Sequence, residues 1–479
     1  MKKIIVWFRK DLRLHDNQPL WEAAQQGTII PVFIWSEEEE REYATSEAAR
    51  WWLHHSLIAL EKELESHGLS LIFRRGNSLE QLASICEQTK ADAIFFGERY
   101  EPSIVNRDRT IANKLLSCVN EIRSFSSNLL FTPGDLLNKK NEPYKVFTSF
   151  WKRTMRESVT RPLPIPASIV PYGKEIQSLR VEGLGLLSKN TYYEKFHIYW
   201  EPGEKGAITR WHQFVDEGLS HYGEENDIPS ANSVSLLSPY LVWGDISVRS
   251  IWHAAKRLHD EDTKEYMQSS IAAFLRQLIW REFAYHQLIH FPKMLNDPLR
   301  EKFKGFPWLG SDEELSKWQK GLTGYPLVDA GMRELWETGV IHNRVRMVVA
   351  SFLVKHLLVS WVDGSEWFQE TLVDFDPANN AMGWQWVAGS GIDAAPFFRI
   401  FNPMLQSQKF DAEGIYIRKW IPELKQLPNK YIHEPWKAPG NILLESGIVL
   451  GKTYPLPIID HSVARMRALE AYAQVKNNV

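Results

Sequence analysis

The chain has 479 residues, enough for two or three domains that each bury a full core. Its 44% apolar and 24% charged residues exclude a disordered or fibrous protein, and a net charge of −3, from 56 Lys and Arg against 59 Asp and Glu, excludes an all-over basic nucleic-acid coat while leaving room for a local basic patch. No apolar stretch approaches the roughly 20 residues of a membrane-spanning helix. The N-terminus meets a charge too soon for a secretory signal, and Cys86 and Cys118 offer no metal-ligand spacing, so a cytoplasmic protein with no metal and no membrane contact is expected.

Four β-branched or aromatic runs, at 3–8, 29–35, 69–73 and 93–96, alternate with helix-length segments such as 48–64 and 79–86. This βαβ rhythm predicts an α/β domain over residues 1–130, a doubly wound parallel sheet whose ligands lie beyond the carboxyl ends of its strands. The first strand is followed by Arg9-Lys10-Asp11-Leu12-Arg13-Leu14-His15-Asp16-Asn17, so the usual glycine-rich dinucleotide fingerprint is absent. Prolines at 133, 143, 162, 164, 166, 171 and 202 mark a long linker over 131–206. Beyond it strand signals nearly vanish. Helical periodicity at 207–219, 246–259, 271–290, 312–320, 325–337, 345–361, 367–373 and 461–475 predicts an all-helical C-terminal domain over 207–479.

Four segments of the helical part carry chemistry that a plain bundle does not need. In 271–283 the stripe Ile271, Phe274, Leu275 and Leu278 faces a core, while Gln277, Trp280 and Arg281 put an amide, an indole and a cation on a second face. An aromatic stacks on a base, an amide bonds its edge and a guanidinium holds a phosphate. Arg344 and Arg346 lie in a segment without acids, and half-buried guanidiniums need carboxylates or phosphates. Asp374-Phe375-Asp376-Pro377-Ala378-Asn379-Asn380 can supply carboxylates and an amide. The hydroxyl run Ser233-Val234-Ser235-Leu236-Leu237-Ser238 precedes a helical stretch, where backbone N–H groups bind phosphate or simply cap the helix.

Together these segments resemble the DNA photolyase/cryptochrome family, from Val6-Trp7-Phe8-Arg9-Lys10-Asp11-Leu12-Arg13 to the C-terminus. Tyr144-Lys145-Val146-Phe147-Thr148, LIWREF at 278–283, TGYPLVDA at 323–330, HNRVRM at 342–347, GWQW at 383–386 and DAAPFFRIFNP at 393–403 look like its motifs, in order. The wording is most like the microbial class I cyclobutane pyrimidine dimer photolyases. The resemblance implies a C-terminal domain that binds FAD and a light-driven lyase that splits dimers in DNA by electron transfer. By position it implies that Tyr222, Val234, Ser235, Leu236, Leu237, Ser238, Arg346, Asp374, Phe375, Asp376 and Asn380 contact FAD, with Asn380 near flavin N5. Trp384, Trp361 and Trp308 match the family's electron-hopping chain, while Trp318 and Trp336 read as core. Gln277, Trp280, Arg281, Asn343, Arg344, Met347 and Gln406 match the lesion pocket and its mouth.

Three departures stand out. Gln277 replaces the glutamate of many dimer photolyases and is more usual in (6-4) photolyases and animal cryptochromes. Leu236 stands where an arginine is common. The histidine and Asn-Glu pair of folate-binding members are replaced by Ala44-Thr45-Ser46 and Ser103-Ile104, which argues against tight folate binding and leaves a second, antenna chromophore open between a deazaflavin, a flavin and none. The alternatives to dimer repair are a (6-4) photolyase and a cryptochrome-like photoreceptor; the chain ends at Val479, soon after the helical 461–473, leaving little for a signalling tail. A monomer that binds damaged DNA is expected.

Overall fold

A computed structural model of the chain describes residues 1–41, 43, 46–188 and 191–476. Ala44 and Thr45, on which the folate reading partly rests, and Val479 lie outside the described residues. The chain packs as two units, one of Met1–Gly223, Ser235–Pro292 and Val373–Pro377, the other of Glu224–Val234, Lys293–Leu372 and Ala378–Val479.

The first unit is built on strands β1 (Lys2–Phe8), β2 (Gly27–Trp35), β3 (Ile72–Arg75), β4 (Ala93–Gly97), β5 (Glu121–Phe125) and β6 (Val170–Pro171). Every pairing is parallel, in the order β3-β2-β1-β4-β5, with β6 on β2. Strands β1, β2 and β4 are apolar on both faces because helices cover both sides, which explains their near-continuous hydrophobic runs. Two strands escape the sequence reading. β5 is a half-buried edge strand with Glu121, Arg123 and Ser124, and β6 is two residues of the linker. The third strand also starts later than expected: Leu69 and Leu71 are buried lead-in residues, and Arg74 and Arg75 continue the pairing to Ile34 and Trp35.

The loop after β1 is buried although it is charged. Arg13, 1% exposed, spends its five N–H donors on the carbonyls of His15, Asp16, Ser127 and Gly244 and the side chain of Asn128, at 2.8–3.2 Å. Asp16, fully buried, accepts from Arg249 Nε at 2.9 Å and Nη2 at 2.8 Å, from Ser247 Oγ, and from Leu163 N at 2.9 Å. Strand end, linker and the helix Val248–Glu261 are therefore joined through one carboxylate. Gly244, at a φ of +70°, allows a close approach: a Cβ there would lie 2.1 Å from the Lys10 carbonyl oxygen.

The second unit is helical. Asp329, in the TGYPLVDA segment, is fully buried and accepts from Thr323 N (2.7 Å) and Oγ1 (2.6 Å), Gly324 N (3.0 Å) and Tyr454 OH (2.8 Å). Gln385, in GWQW, bridges the Met294 and Asp297 carbonyls and the Leu299 amide. These polar hubs give two motif residues a structural role. The single helix expected over 345–361 is broken: Asn343–Ser351 passes into a π-helical turn, Phe352–Leu357, and Leu358 turns left-handed at a φ of 54°. The wider turn buries two consecutive polar side chains, Lys355 donating to the Arg399 carbonyl at 2.9 Å and His356 paired with His461 at 2.8 Å. The next helix, Trp361–Thr371, begins before the expected position 367.

Replacing Asp16 with alanine leaves the Arg249 guanidinium buried without its carboxylate. We expect the D16A variant to lose about 3–5 kcal/mol in urea unfolding, whereas Asp260→Ala, at the exposed pair with Lys256, leaves the transition where it was.

Candidate functional site

In the first unit the helix Glu265–His290 presents two faces. Ile271, Phe274, Leu275 and Leu278 are buried, whereas Arg276 and Gln277 are exposed and Trp280 half-buried. The helix Phe147–Thr154, from the linker, packs on it, and the Phe147 ring lies against the Trp280 indole with centroids 3.4 Å apart and planes within 6°. Gln277 bonds only loosely to its own helix, Nε2 to the Ala273 carbonyl at 3.4 Å, so its amide faces outward. Arg281 departs from the sequence reading. Its guanidinium turns inward, to the carbonyls of Asn128 (2.7 Å) and Leu241 (3.3 Å) and over the Tyr285 ring, rather than joining Gln277 and Trp280 on the outer face.

The linker is tied to this helix by two groups that sequence reasoning did not single out. Burial, with His290 alongside, pushes His286 down to about 4, so its neutral ring accepts the Tyr144 amide at Nε2, 3.0 Å away. Glu282 takes the amides of Leu130 and Phe131, and burial pushes its carboxyl up to about 7 against the pull of Arg281.

Residues 235–238 form a turn in which Leu236 adopts a left-handed φ of 52° and Ser235 Oγ accepts from Leu237 N at 3.4 Å. Such a backbone costs a leucine on the order of 1 kcal/mol. Ser238 opens the short helix Ser238–Trp243 and donates to Asp374 Oδ2 at 2.7 Å. Tyr285 donates to Asp376, a partner no motif had indicated. Phe375 and Tyr222 are buried, Tyr222 packing on Phe214 and Phe274. Pro377 starts a helix, Pro377–Ala388, in the first-turn position where its missing N–H costs nothing.

In the second unit His342 caps the helix Asn343–Ser351. Burial pushes the ring down to about 4, and its Nδ1 accepts the Arg344 amide at 3.2 Å. Arg344 finds its acid in Asp227 and lies over Phe410, and Arg346 lies over Phe368. Asn343 is exposed and Met347 half-buried one turn on; Gln406 is half-buried on the helix Pro403–Phe410, and Val234 is half-buried too. Asn380 is almost buried, its amide nitrogen held by Ser365 Oγ (2.9 Å) and carbonyl (3.2 Å). Of the three candidate relay tryptophans, Trp384 and Trp361 are buried and Trp308 is half-buried against Phe306. Trp384 meets Phe368 and, edge-on at 6.3 Å, Trp318, which the sequence assigned to the core. Gly364 makes room for it: a Cβ there would come within 2.2 Å of the indole.

At the carboxyl ends of β1 and β2 the first unit has a narrow crevice lined by Trp7, Arg9, Trp35, Arg99 and Trp243. The indole N–H groups of Trp7, Trp35 and Trp243 lack partners there. Burial alone would raise the neighbouring Glu101, yet Arg99 and Lys10 hold its carboxyl well below the usual range.

Comparison with known proteins adds the following. Residues 4–168 match the family model for DNA photolyase and 274–474 the FAD binding domain of DNA photolyase. A deoxyribodipyrimidine photo-lyase of Agrobacterium fabrum is 45% identical over 99% of this chain and 98% of its own. Cryptochrome-2 of Arabidopsis thaliana is 37% identical over 99% of this chain and 79% of its own. A crystal structure described as a bacterial class III photolyase from Agrobacterium tumefaciens superposes with a TM-score of 0.95 at 44% identity, covering 100% of this chain and 98% of that one. The class I subtype expected from the motifs finds no support in these matches.

The folded state holds the Glu282 proton more tightly than an unfolded chain, whose glutamate titrates near 4.5. Glu282 therefore favours folding below that value and loses the contribution as pH rises to about 7. Glu282→Gln keeps an acceptor for the linker amides, so denaturation at pH 8 should find it more stable than the parent by on the order of 1–3 kcal/mol, a gap that closes by pH 4.5.

Proposed function

The chain belongs to the DNA photolyase/cryptochrome family, and on that footing we propose that it is a light-driven repair enzyme, a deoxyribodipyrimidine photo-lyase that splits cyclobutane pyrimidine dimers. The observation that carries this reading is the outer face of the helix Glu265–His290: a half-exposed indole braced from one side, an outward amide one turn away, and the exposed cation Arg276 beside them. A base extruded from a poorly stacked lesion has a ring to stack on and an edge to bond. The Agrobacterium likeness favours the class III subtype over class I.

FAD is the cofactor named by the family model over residues 274–474; bound, reduced and excited by blue light, it would supply the electron that opens the dimer. The donor set fits it. Hydroxyls and backbone N–H groups at Ser235, Leu236, Leu237 and Ser238 suit a pyrophosphate, and two buried carboxylates, Asp374 and Asp376, already accept hydroxyls from Ser238 and Tyr285. The family resemblance assigns Arg346, Asn380 and Val234 of the second unit, and Tyr222 and Phe375 of the first, to the same cofactor, and among them they offer a cation, an amide and apolar surface to a ring that donates and accepts. Trp384, Trp361 and Trp308 provide oxidisable indoles. The family resemblance assigns Gln277 and Trp280 of the first unit, and Asn343, Met347 and Gln406 of the second, to lesion contact, whereas Arg281 and Arg344, occupied with protein partners, act by positioning. The working form in this reading is a cytoplasmic monomer on damaged DNA. Among the described residues no helix is long and apolar enough to cross a membrane and no group of three or more His, Cys, Asp or Glu could hold a metal ion.

The alternatives are (6-4) repair, favoured by Gln277, and blue-light signalling, favoured by the likeness to Cryptochrome-2. Reduced protein under blue light should restore oligonucleotides carrying a cyclobutane dimer and leave a (6-4) product untouched. The reverse selectivity would make Gln277 the better guide, and no repair by a photoreducible holoprotein would leave the receptor. In Trp384→Phe, photoreduction of oxidised FAD should slow while pre-reduced enzyme still repairs; unchanged photoreduction removes Trp384 from the relay.

A further inference from the structure

The segment expected to be irregular linker builds part of the recognition face. Its cluster is anchored at three points on the helix Glu265–His290: the Tyr144 amide on His286, the Phe150 ring 5.2 Å from Phe283 and 5.0 Å from His286, and Phe147 edge-on to Phe283 at 5.8 Å. Phe147 and Phe150 are 2% and 1% exposed, so this contact is part of a packed core. The face of Phe147 then covers one face of Trp280, and Arg276, one turn before Trp280, sits 5.4 Å from the same phenyl ring. An indole on a helix surface ordinarily samples several rotamers. Here one flat face is fixed against a buried ring, and the half-exposed side is left for a partner.

We propose that Phe147 is a positioning residue for lesion recognition, holding Trp280 flat so that a flipped pyrimidine dimer stacks on it without first ordering it. The inference rests on the repair reading above. Stacking on a ring that is already immobile saves the rotamer entropy that a free side chain would lose on binding. The surface around the stack has the matching charge: residues 139–161 hold seven Lys and Arg against two Asp and Glu, in a chain whose net charge is −3. Lys139, Lys140, Lys145 and Lys152 are exposed. Those cations serve any DNA through its phosphates, whereas Phe147 acts only on the damaged site, and this separates the two in experiment.

The test uses the FAD-loaded protein with duplex oligonucleotides that carry or lack a cyclobutane dimer. Phe147→Leu removes the flat ring and keeps a buried apolar group. It should weaken binding to dimer DNA about 10-fold, the loss expected for roughly 1.4 kcal/mol of stacking. Affinity for undamaged DNA, FAD content and repair yield at saturating substrate should stay at the parent's values, and Phe147→Tyr should return dimer affinity to within about 2-fold. Phe147→Met, similar in volume, replaces the leucine variant if that one unfolds. Unchanged dimer affinity in a folded variant overturns the inference, as does a loss shared equally by damaged and undamaged DNA or by FAD content. A parent protein with no preference for dimer DNA overturns the repair reading itself, and with it this role for Phe147.

Discussion

The first unit depends on how the charges of the loop after β1 are neutralised away from water. Arg13 and Asp16 are buried as completely as any leucine, and such groups are tolerated only when every donor and acceptor is met. Their partners come from three distant places: the loop after β5, the linker at Leu163, and the segment around Gly244, Ser247 and Arg249. A glycine fingerprint at this position would leave room for a dinucleotide. The charged loop instead binds the protein's own chain, and the sheet becomes a platform on which linker and first helices are seated.

From that seating follows the shape of the recognition face. The linker meets the helix Glu265–His290 first and is pinned at Leu163 further on, and two side chains of that helix, Glu282 and His286, take up its backbone amides. Both are acceptors made by burial, one a carboxyl and one a ring kept neutral. Opposite them on the same helix lie Gln277 and Trp280. One element thus holds its support with one face and offers chemistry with the other, so the functional side chains inherit their rigidity from contacts that never meet substrate.

Much of this was legible in the sequence, and the gaps have physical reasons. The interior strands were visible because both their faces are apolar; β5 was missed because an edge strand carries Glu121 and Arg123, and β6 because two residues leave no periodicity. The helix broken at Leu358 was read as continuous because a π-helical turn keeps the apolar residues coming while shifting their phase. The acidic partner of Arg344 was not found, since Asp227 lies 117 residues earlier, in the stretch Glu224-Glu225-Asn226-Asp227 that no motif singled out, and only folding brings it near. Gln277 and Trp280 were placed correctly on one outer face of their helix, but the i, i+4 argument assigned Arg281 to the same face, and its long side chain reaches inward instead.

The partners of Arg13 and Asp16 lie up to 233 residues further along the chain. A ribosome makes the N-terminal end first, at several residues per second. Until Arg249 has emerged, the Asp16 carboxylate has Arg13 nearby but lacks the guanidinium that bonds both its oxygens, and closing the loop would bury it without those hydrogen bonds. The α/β half is therefore a poor autonomous folder during synthesis and waits, open at one corner, for a helix encoded in the middle of the message. Cutting the gene between the sheet and that helix would yield a fragment whose charges have nowhere to go.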